Sequence, residues 1–252
     1  MNITSQYTDE YYKDQIAPSL ESARIFLGHL WKYYQPQSVV DVGCGRGAWL
    51  KACHELGSSE LFGLDGDWNN QAAMIDDHIR FRAIDLNRPF TLDGRVELAM
   101  SVEVAEHLEP ASSAAFVESL TRAADAVVFG AAYLRQNGPT HINERRHSWW
   151  AHLFQKNGYV PFDLFRPSLW GDEQIPFWYR QNTFLYARKN SPVYATLKAA
   201  GFAELLDLRF LDCIHPVLFE LRTSFDLGFR DHLGMLVPSL LRAMRKKRQN
   251  RH

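Results

Sequence analysis

The chain has 252 residues, with 28 Lys and Arg against 29 Asp and Glu and a formal net charge of −1. That balance excludes a whole-surface nucleic-acid binder, which needs an excess of cations to track phosphates. Its three cysteines, Cys44, Cys53 and Cys213, are odd in number and form no C-x-x-C pair, which argues against a disulfide framework or a cysteine zinc site and fits reduced thiols.

Residues 1 to 37 carry Ile16, Leu20, Ile25, Phe26, Leu27, Leu30 and Trp31 at near-helical spacing, which predicts one or two helices laid over the domain as a lid. No basic-then-apolar leader opens the chain, and no apolar run is long enough to span a bilayer, so a soluble, cytoplasmic protein is expected. From Ser38 strands and helices alternate: strand Ser38–Val42, helix 48–56, strand 61–64, helix 70–76, strands Ile79–Ala83 and Val96–Val102, helix 112–124 and strand 126–130. Alternation of this kind implies parallel pairing with helical crossovers and ligands at the carboxyl ends of the strands. Beyond Asn137-Gly138-Pro139 a helix through 149–154 should stop at Asn157-Gly158, with Trp149, Trp150 and Phe154 as its core stripe. Two β-like runs, 162–165 and 183–187, flank an aromatic loop, 169–179, and would close the sheet as a hairpin. The organisation expected is a lid at 1–37, an α/β domain at 38–189 and a helical extension at 190–252.

The chemistry concentrates in Val39-Val40-Asp41-Val42-Gly43-Cys44-Gly45-Arg46-Gly47, a buried strand running into a glycine-rich turn and then a helix. Glycines let the backbone approach a ligand, and the helix presents free N–H groups. The acid at the strand end suits an amine better than a pyrophosphate. Asp65 ends the next strand, where a carboxylate can accept both hydroxyl protons of a ribose, and Asp85 ends the third, where it could receive an adenine amino group. Ser101-Val102-Glu103-Val104-Ala105-Glu106-His107-Leu108 follows the fourth and would line the cleft floor.

With these four elements in order over about 38–132, the chain resembles the class I methyltransferases that depend on S-adenosylmethionine. The resemblance implies a Rossmann-like three-layer sandwich with a seven-stranded, mostly parallel sheet whose last strand is antiparallel, S-adenosyl-L-methionine as cofactor, and direct displacement at the methyl carbon. It also implies Asp41, Gly43, Cys44, Gly45, Asp65, Gly66, Asp85, Leu86, Ser101 and Glu103 as the cofactor-binding set. Gly66-Asp67 stands where the family often has an apolar adenine contact, a role that Trp68 is expected to take.

An activated methyl group leaves the protein to align donor and acceptor and to remove a proton from a hydroxyl acceptor. His107 and His141 are the candidate bases; either could instead be a structural histidine at a loop or helix start. Thr140-His141-Ile142-Asn143-Glu144 resembles the H-[IV]-N-E segment of methyltransferases found with bacterial polysaccharide and sugar-modifying pathways. In that reading Glu106, Asn143, Glu144, Arg145 and Trp178 bind the acceptor, while a capped helix start is the alternative for Asn143 and Glu144. Residues similar to Glu103, Glu106 and His107 hold a metal in some quinone-pathway O-methyltransferases, but no metal is assigned here. The basic, partly apolar stretch 240–248 could touch an anionic membrane surface or form a solvated helix end. The expected function is O-methylation of a sugar or glycan precursor, with no nucleic-acid partner. An aromatic or quinone metabolite is the rival acceptor, and a non-catalytic binding partner the rival class. Oligomeric state is not legible.

Overall fold

The computed structural model describes residues 9–223, with side chains from Ile16 onward. The expected membrane-contacting stretch, 240–248, lies outside the described residues. The chain falls into two units, Met1–Cys213 and Ile214–His252, and the described part of the second, 214–223, holds the helix Pro216–Thr223. Among the described residues no helix is long and apolar enough to cross a membrane.

The first unit is built on seven strands: β1 (Ser38–Val42), β2 (Glu60–Asp65), β3 (Ile79–Ala83), β4 (Val96–Val102), β5 (Ala124–Gly130), β6 (Tyr159–Phe162) and β7 (Thr183–Arg188). They form one sheet in the order β3-β2-β1-β4-β5-β7-β6. Strands β1 to β5 pair in parallel, and β7 runs antiparallel to both β5 and β6. The doubly wound, mostly parallel sheet and its closing hairpin are therefore as expected. The strand order reverses between β1 and β4, and a crevice at such a point is where open α/β sheets bind ligands.

Period-two alternation assigns each strand residue to a face. Val39, Leu61, Leu98, Val128 and Leu185 face one apolar layer with Phe26, Leu27 and Leu30 of α1 (Asp9–Leu30) and Leu50 of α2 (Ala48–Glu55). Val40, Leu64, Ala99, Phe129 and Tyr186 face the other layer. Phe116 and Leu120 of α3 (Ser113–Ala123) and Trp150 and Phe154 of α4 (His147–Lys156) lie there.

Local readings differ in four places. The helix expected at 70–76 is a single 3-10 turn, Gln71–Ala73. The strand expected at 162–165 lies three residues earlier, because β6 is the sheet edge and tolerates Pro161, whereas Asp163 turns away to pair with Arg166 at 2.8 Å. The aromatic loop folds as two short helices, α5 (Arg166–Leu169) and α6 (Phe177–Asn182). Trp149 stands 37% exposed while Trp150 is buried, since successive helix positions point about 100° apart and cannot both face the core. Helix α7 (Pro192–Ala199) covers β7, and Ser191 caps it by accepting the Tyr194 N–H.

Candidate active site

Parallel pairing sets the carboxyl ends of β1 and β4 side by side. The turn after β1 hangs from β2, because the N–H groups of Gly43 and Cys44 donate to the Leu64 carbonyl at 2.7 and 3.2 Å. Gly43, Gly45 and Gly47 all have positive φ. Gly43 also has no room for a side chain, since a Cβ there would sit 2.4 Å from a methyl of Val104, the residue after Glu103. Asp65 completes the turn: Oδ2 accepts the Gly45 N–H and Oδ1 the Gly66 N–H, each at 2.7 Å. The ring of Trp68 packs directly against Gly66, where a Cβ would lie 2.2 Å from it.

Asp41 carries the electrostatic signature of the turn. It is buried, and burial together with the neighbouring Asp65 charge pushes its carboxyl up to about 8. Asp65 is raised as well by burial, against the pull of its two backbone donors. Such a carboxyl is short of a counter-charge, and a primary ammonium group would supply one. This donor set therefore fits the amino-acid end of S-adenosylmethionine at Asp41 and the glycine turn, with the ribose at Asp65.

Other members of the expected set sit differently. The Cys44 thiol turns inward, in line with Gly63 and Leu50, so the side chain is core and only its backbone belongs to the turn. The Asp85 carboxylate is 54% exposed, accepts the Asn87 N–H and pairs with Arg88, while Leu86 is buried. The Ser101 hydroxyl is buried without a partner among the described residues.

The floor after β4 carries two carboxyl groups. Glu103 has φ of 57°, a strained conformation for a residue with a side chain. Its Oε1 accepts from Asn182 Nδ2 at 2.8 Å and its Oε2 from Gln136 Nε2 at 3.4 Å. Glu106 is fully buried, with neither carboxylate oxygen hydrogen-bonded among the described residues. Burial raises both carboxyls, and the Glu103 charge raises Glu106 further, so near neutral pH the pair is reluctant to carry two charges.

The two candidate histidines meet, with ring centroids 4.8 Å apart. His107 Nδ1 lies 3.0 Å from Thr140 Oγ1, whose own proton goes to the Pro139 carbonyl, so the imidazole is the donor of the pair and Nε2 keeps its lone pair. Burial and the adjacent His141 lower His107 to about 4, leaving it neutral and a weak proton acceptor. His141 Nδ1 lies 2.9 Å from Glu144 Oε1, and the other oxygen of Glu144 accepts the Arg135 N–H at 2.8 Å. A carboxylate in this position fixes the Nδ1–H tautomer and steadies a protonated ring. One ligand atom each from Glu106, His107 and His141 lies within 4.8 Å of the others, so these three residues could also hold a cation.

Asn143 is a brace rather than a clamp on acceptor hydroxyls. It is buried, its amide nitrogen donates to the Ala105 carbonyl and Ser113 Oγ, and its oxygen accepts from Arg145 Nε. Arg145 is thereby engaged, its guanidinium lying 4.9 Å over the Trp149 ring. The Ile142 and Asn143 N–H groups both donate to the Glu106 carbonyl at 2.9 Å, which ties the His141 segment to the His107 segment. Trp178 is 38% exposed on α6 beside Phe177.

Sequence reasoning missed Asn182 and Gln136. Asn182 Nδ2 reaches both Glu103 and Gln136 Oε1, and its Oδ1 lies 3.0 Å from His147 Nε2. The one available signal was polar Gln181-Asn182 set between an aromatic helix and an apolar strand, a place where buried amides usually have a task.

No protein-family model and no curated protein matches the chain. Solved structures do. A chain from a Haloferax volcanii complex that contains the Trm112 methyltransferase activator is 15% identical, with 74% of this chain and 97% of that one covered at a TM-score of 0.54. An O-methyltransferase family protein from Burkholderia thailandensis is 13% identical over 73% of this chain and 58% of that one, with a TM-score of 0.53. Human N-acetylserotonin methyltransferase, solved with its cofactor SAM, is 14% identical over 64% of this chain at a TM-score of 0.46, and the chain spans about half, 51%, of its length. The sheet and its helices thus have the class I methyltransferase fold.

Proposed function

We propose that the chain binds S-adenosylmethionine and directs its methyl group to an oxygen of a small acceptor, a sugar or glycan precursor being the class that the His141 segment suits best. The observation that carries this reading is the buried, charge-starved Asp41 at the mouth of a turn held by Asp65. The cofactor supplies an already activated methyl group, so the protein's task is alignment and proton removal. Asp41 binds the amino group, Asp65 the ribose hydroxyls and Asp85 the adenine edge, with Trp68 against the base. The shared fold with the Burkholderia thailandensis O-methyltransferase family protein points to oxygen as the accepting atom.

On the acceptor side, His141 is the base. Glu144 orients the ring and stabilises the imidazolium formed when Nε2 takes the hydroxyl proton. His107 stays neutral and offers Nε2 to a second hydroxyl. Glu106 and Trp178 line the acceptor side, Trp178 as a stacking face for a sugar ring. A second reading rests on the unpartnered Glu106 oxygens: Glu106, His107 and His141 would hold a divalent cation that polarises the acceptor hydroxyl. Methyl transfer that survives chelation of the protein belongs to the imidazole base.

Calorimetry with S-adenosylmethionine tests the core of the proposal. Binding that weakens in Asp65→Ala is expected, and no binding at millimolar cofactor overturns it. A screen of sugar phosphates, nucleotide sugars and catechols, with labelled product resolved by mass, then identifies the acceptor class.

A further inference from the structure

His54, Asp76 and His78 form a second cluster, at the opposite edge of the sheet from the glycine turn. Helix α2 leaves the carboxyl end of β1 at Gly47 and runs back, so His54 in its last turn reaches the amino edge. Asp76 and His78 occupy the loop immediately before β3 on that edge. Asp76 Oδ2 lies 2.7 Å from His54 Nδ1, and Asp76 Oδ1 lies 2.9 Å from His78 Nδ1. The two rings are 4.1 Å apart between centroids, and one ligand atom from each of the three residues lies within 4.8 Å of the others.

The three groups are held in place before any ligand arrives. The His78 N–H donates to Asp76 Oδ1 at 2.9 Å and the Ile79 N–H to the Asp76 carbonyl at 3.2 Å. Gln71 pins the same loop, donating to the Ile79 carbonyl and accepting from the Phe81 N–H. Asp76 is 10% exposed, against 34% for His54 and 65% for His78, so an anion sits at the base of a shallow cup with two imidazoles on its rim. Burial works against that charge. The His78 backbone N–H and the two imidazoles outweigh it and hold the carboxyl down at about 2.

Without a ligand, each imidazole can donate an Nδ1–H to its own oxygen of Asp76. Two imidazolium rings at this separation would repel, and one carboxylate cannot neutralise both. A single cation bound to both rings and the carboxylate satisfies all three at once. Metal binding moves each ring's proton from Nδ1 to Nε2, so that both Nδ1 lone pairs and one Asp76 oxygen hold the cation and solvent completes the set. Two nitrogens and one oxygen suit Zn2+, Ni2+ or Cu2+ and not Mg2+ or Ca2+, which require oxygen ligands.

We infer that His54, Asp76 and His78 bind one borderline divalent metal ion of the zinc class. The ion clips the end of α2 to the start of β3 and stabilises the α2–β2–β3 part of the unit without touching the methyl-transfer chemistry.

The test uses the full, untagged chain, stripped with a chelator and titrated with ZnCl2 in a calorimeter, with MgCl2 as contrast. His78→Gln is the main variant because its exposed ring can change without disturbing packing; His54→Gln is the second, and His141→Gln removes the other cluster. One Zn2+ should be lost, or weakened by about 10- to 100-fold, in His78→Gln and His54→Gln and kept in His141→Gln. The zinc-dependent rise in melting temperature should disappear in the same two variants. Bound with Cu2+, the His141→Gln chain should give an electron paramagnetic resonance spectrum split by two nitrogens. The inference is overturned if the chain binds no Zn2+, or if the bound Zn2+ is unaffected by His78→Gln and His54→Gln and lost only in His141→Gln.

Discussion

Asp41→Asn should change the number of protons exchanged when S-adenosylmethionine binds. With its carboxyl pushed up to about 8, Asp41 is about 0.9 protonated at pH 7 by the ordinary titration relation. An ammonium group seated on it favours the ionised form, so association at pH 7 expels that proton. The cofactor's own amine, near the usual α-amino range, takes up only about 0.1 proton in return. Calorimetry in buffers of different ionisation enthalpy reads the balance as a slope. The wild-type chain should release about 0.9 proton more than Asp41→Asn, and the variant should bind about 10- to 100-fold more weakly for want of the counter-charge.

The same carboxyl sets a stability trend in the chain without cofactor. Its folded pKa lies above the unfolded value, so the folded state holds the extra proton between about pH 4 and 8. Stability from this group is complete below that window and falls with rising pH inside it, by at most about 1.4 kcal/mol per pH unit. Asp41→Asn should therefore flatten the pH dependence of melting and be the more stable protein at pH 8. Equal proton release by the two proteins would refute the assignment of a protonated Asp41 and an ammonium partner.

Gly43→Ala should cost about 1–2 kcal/mol from its left-handed backbone alone, and more from the overlap with Val104. A melting temperature about 2–8 °C lower is expected, with only the overlap relieved in Gly43→Ala/Val104→Ala. Once an acceptor is identified, His141→Asn should lower kcat by about 10²- to 10⁴-fold and Glu144→Gln should shift the pH profile of kcat/KM, while His107→Asn costs less than about tenfold; equal losses at both histidines would sink the division of roles. Asn182→Leu strips donors from Glu103 and Gln136 in one step, so denaturant unfolding should show at least about 2 kcal/mol lost, and a neutral result would mean that this amide braces nothing.

The sheet was legible because its central strands β1, β4 and β5 are largely buried on both faces and therefore read as short runs rich in Val, Leu and Ala. The placement of Asp41, the glycines and Asp65 was legible for a related reason: they stand at strand ends, where spacing along the chain fixes spacing in the fold. The acceptor side is built from loops, and there residue type did not reveal role. Asn143 looks like a hydroxyl clamp in sequence, yet its amide is consumed by Ala105, Ser113 and Arg145, contacts made across 30 residues or more except the last. His107 and His141 read as equivalent candidates until their neighbours were visible: Thr140 offers one only a hydroxyl, and Glu144 offers the other a carboxylate. The strand read at 162–165 lies at Tyr159–Phe162, and whether Pro161 fits a strand depends on whether that strand is an edge, which topology sets.

The pair of N–H groups from Ile142 and Asn143 on the Glu106 carbonyl couples the loops after β4 and β5 through backbone alone. A grafted His141 segment would keep those donors only where its backbone follows the same path and carries no proline at either position. Under the proposed function, a change of acceptor confined to the α5–α6 rim, where Trp178 is half-exposed, would leave that backbone coupling intact.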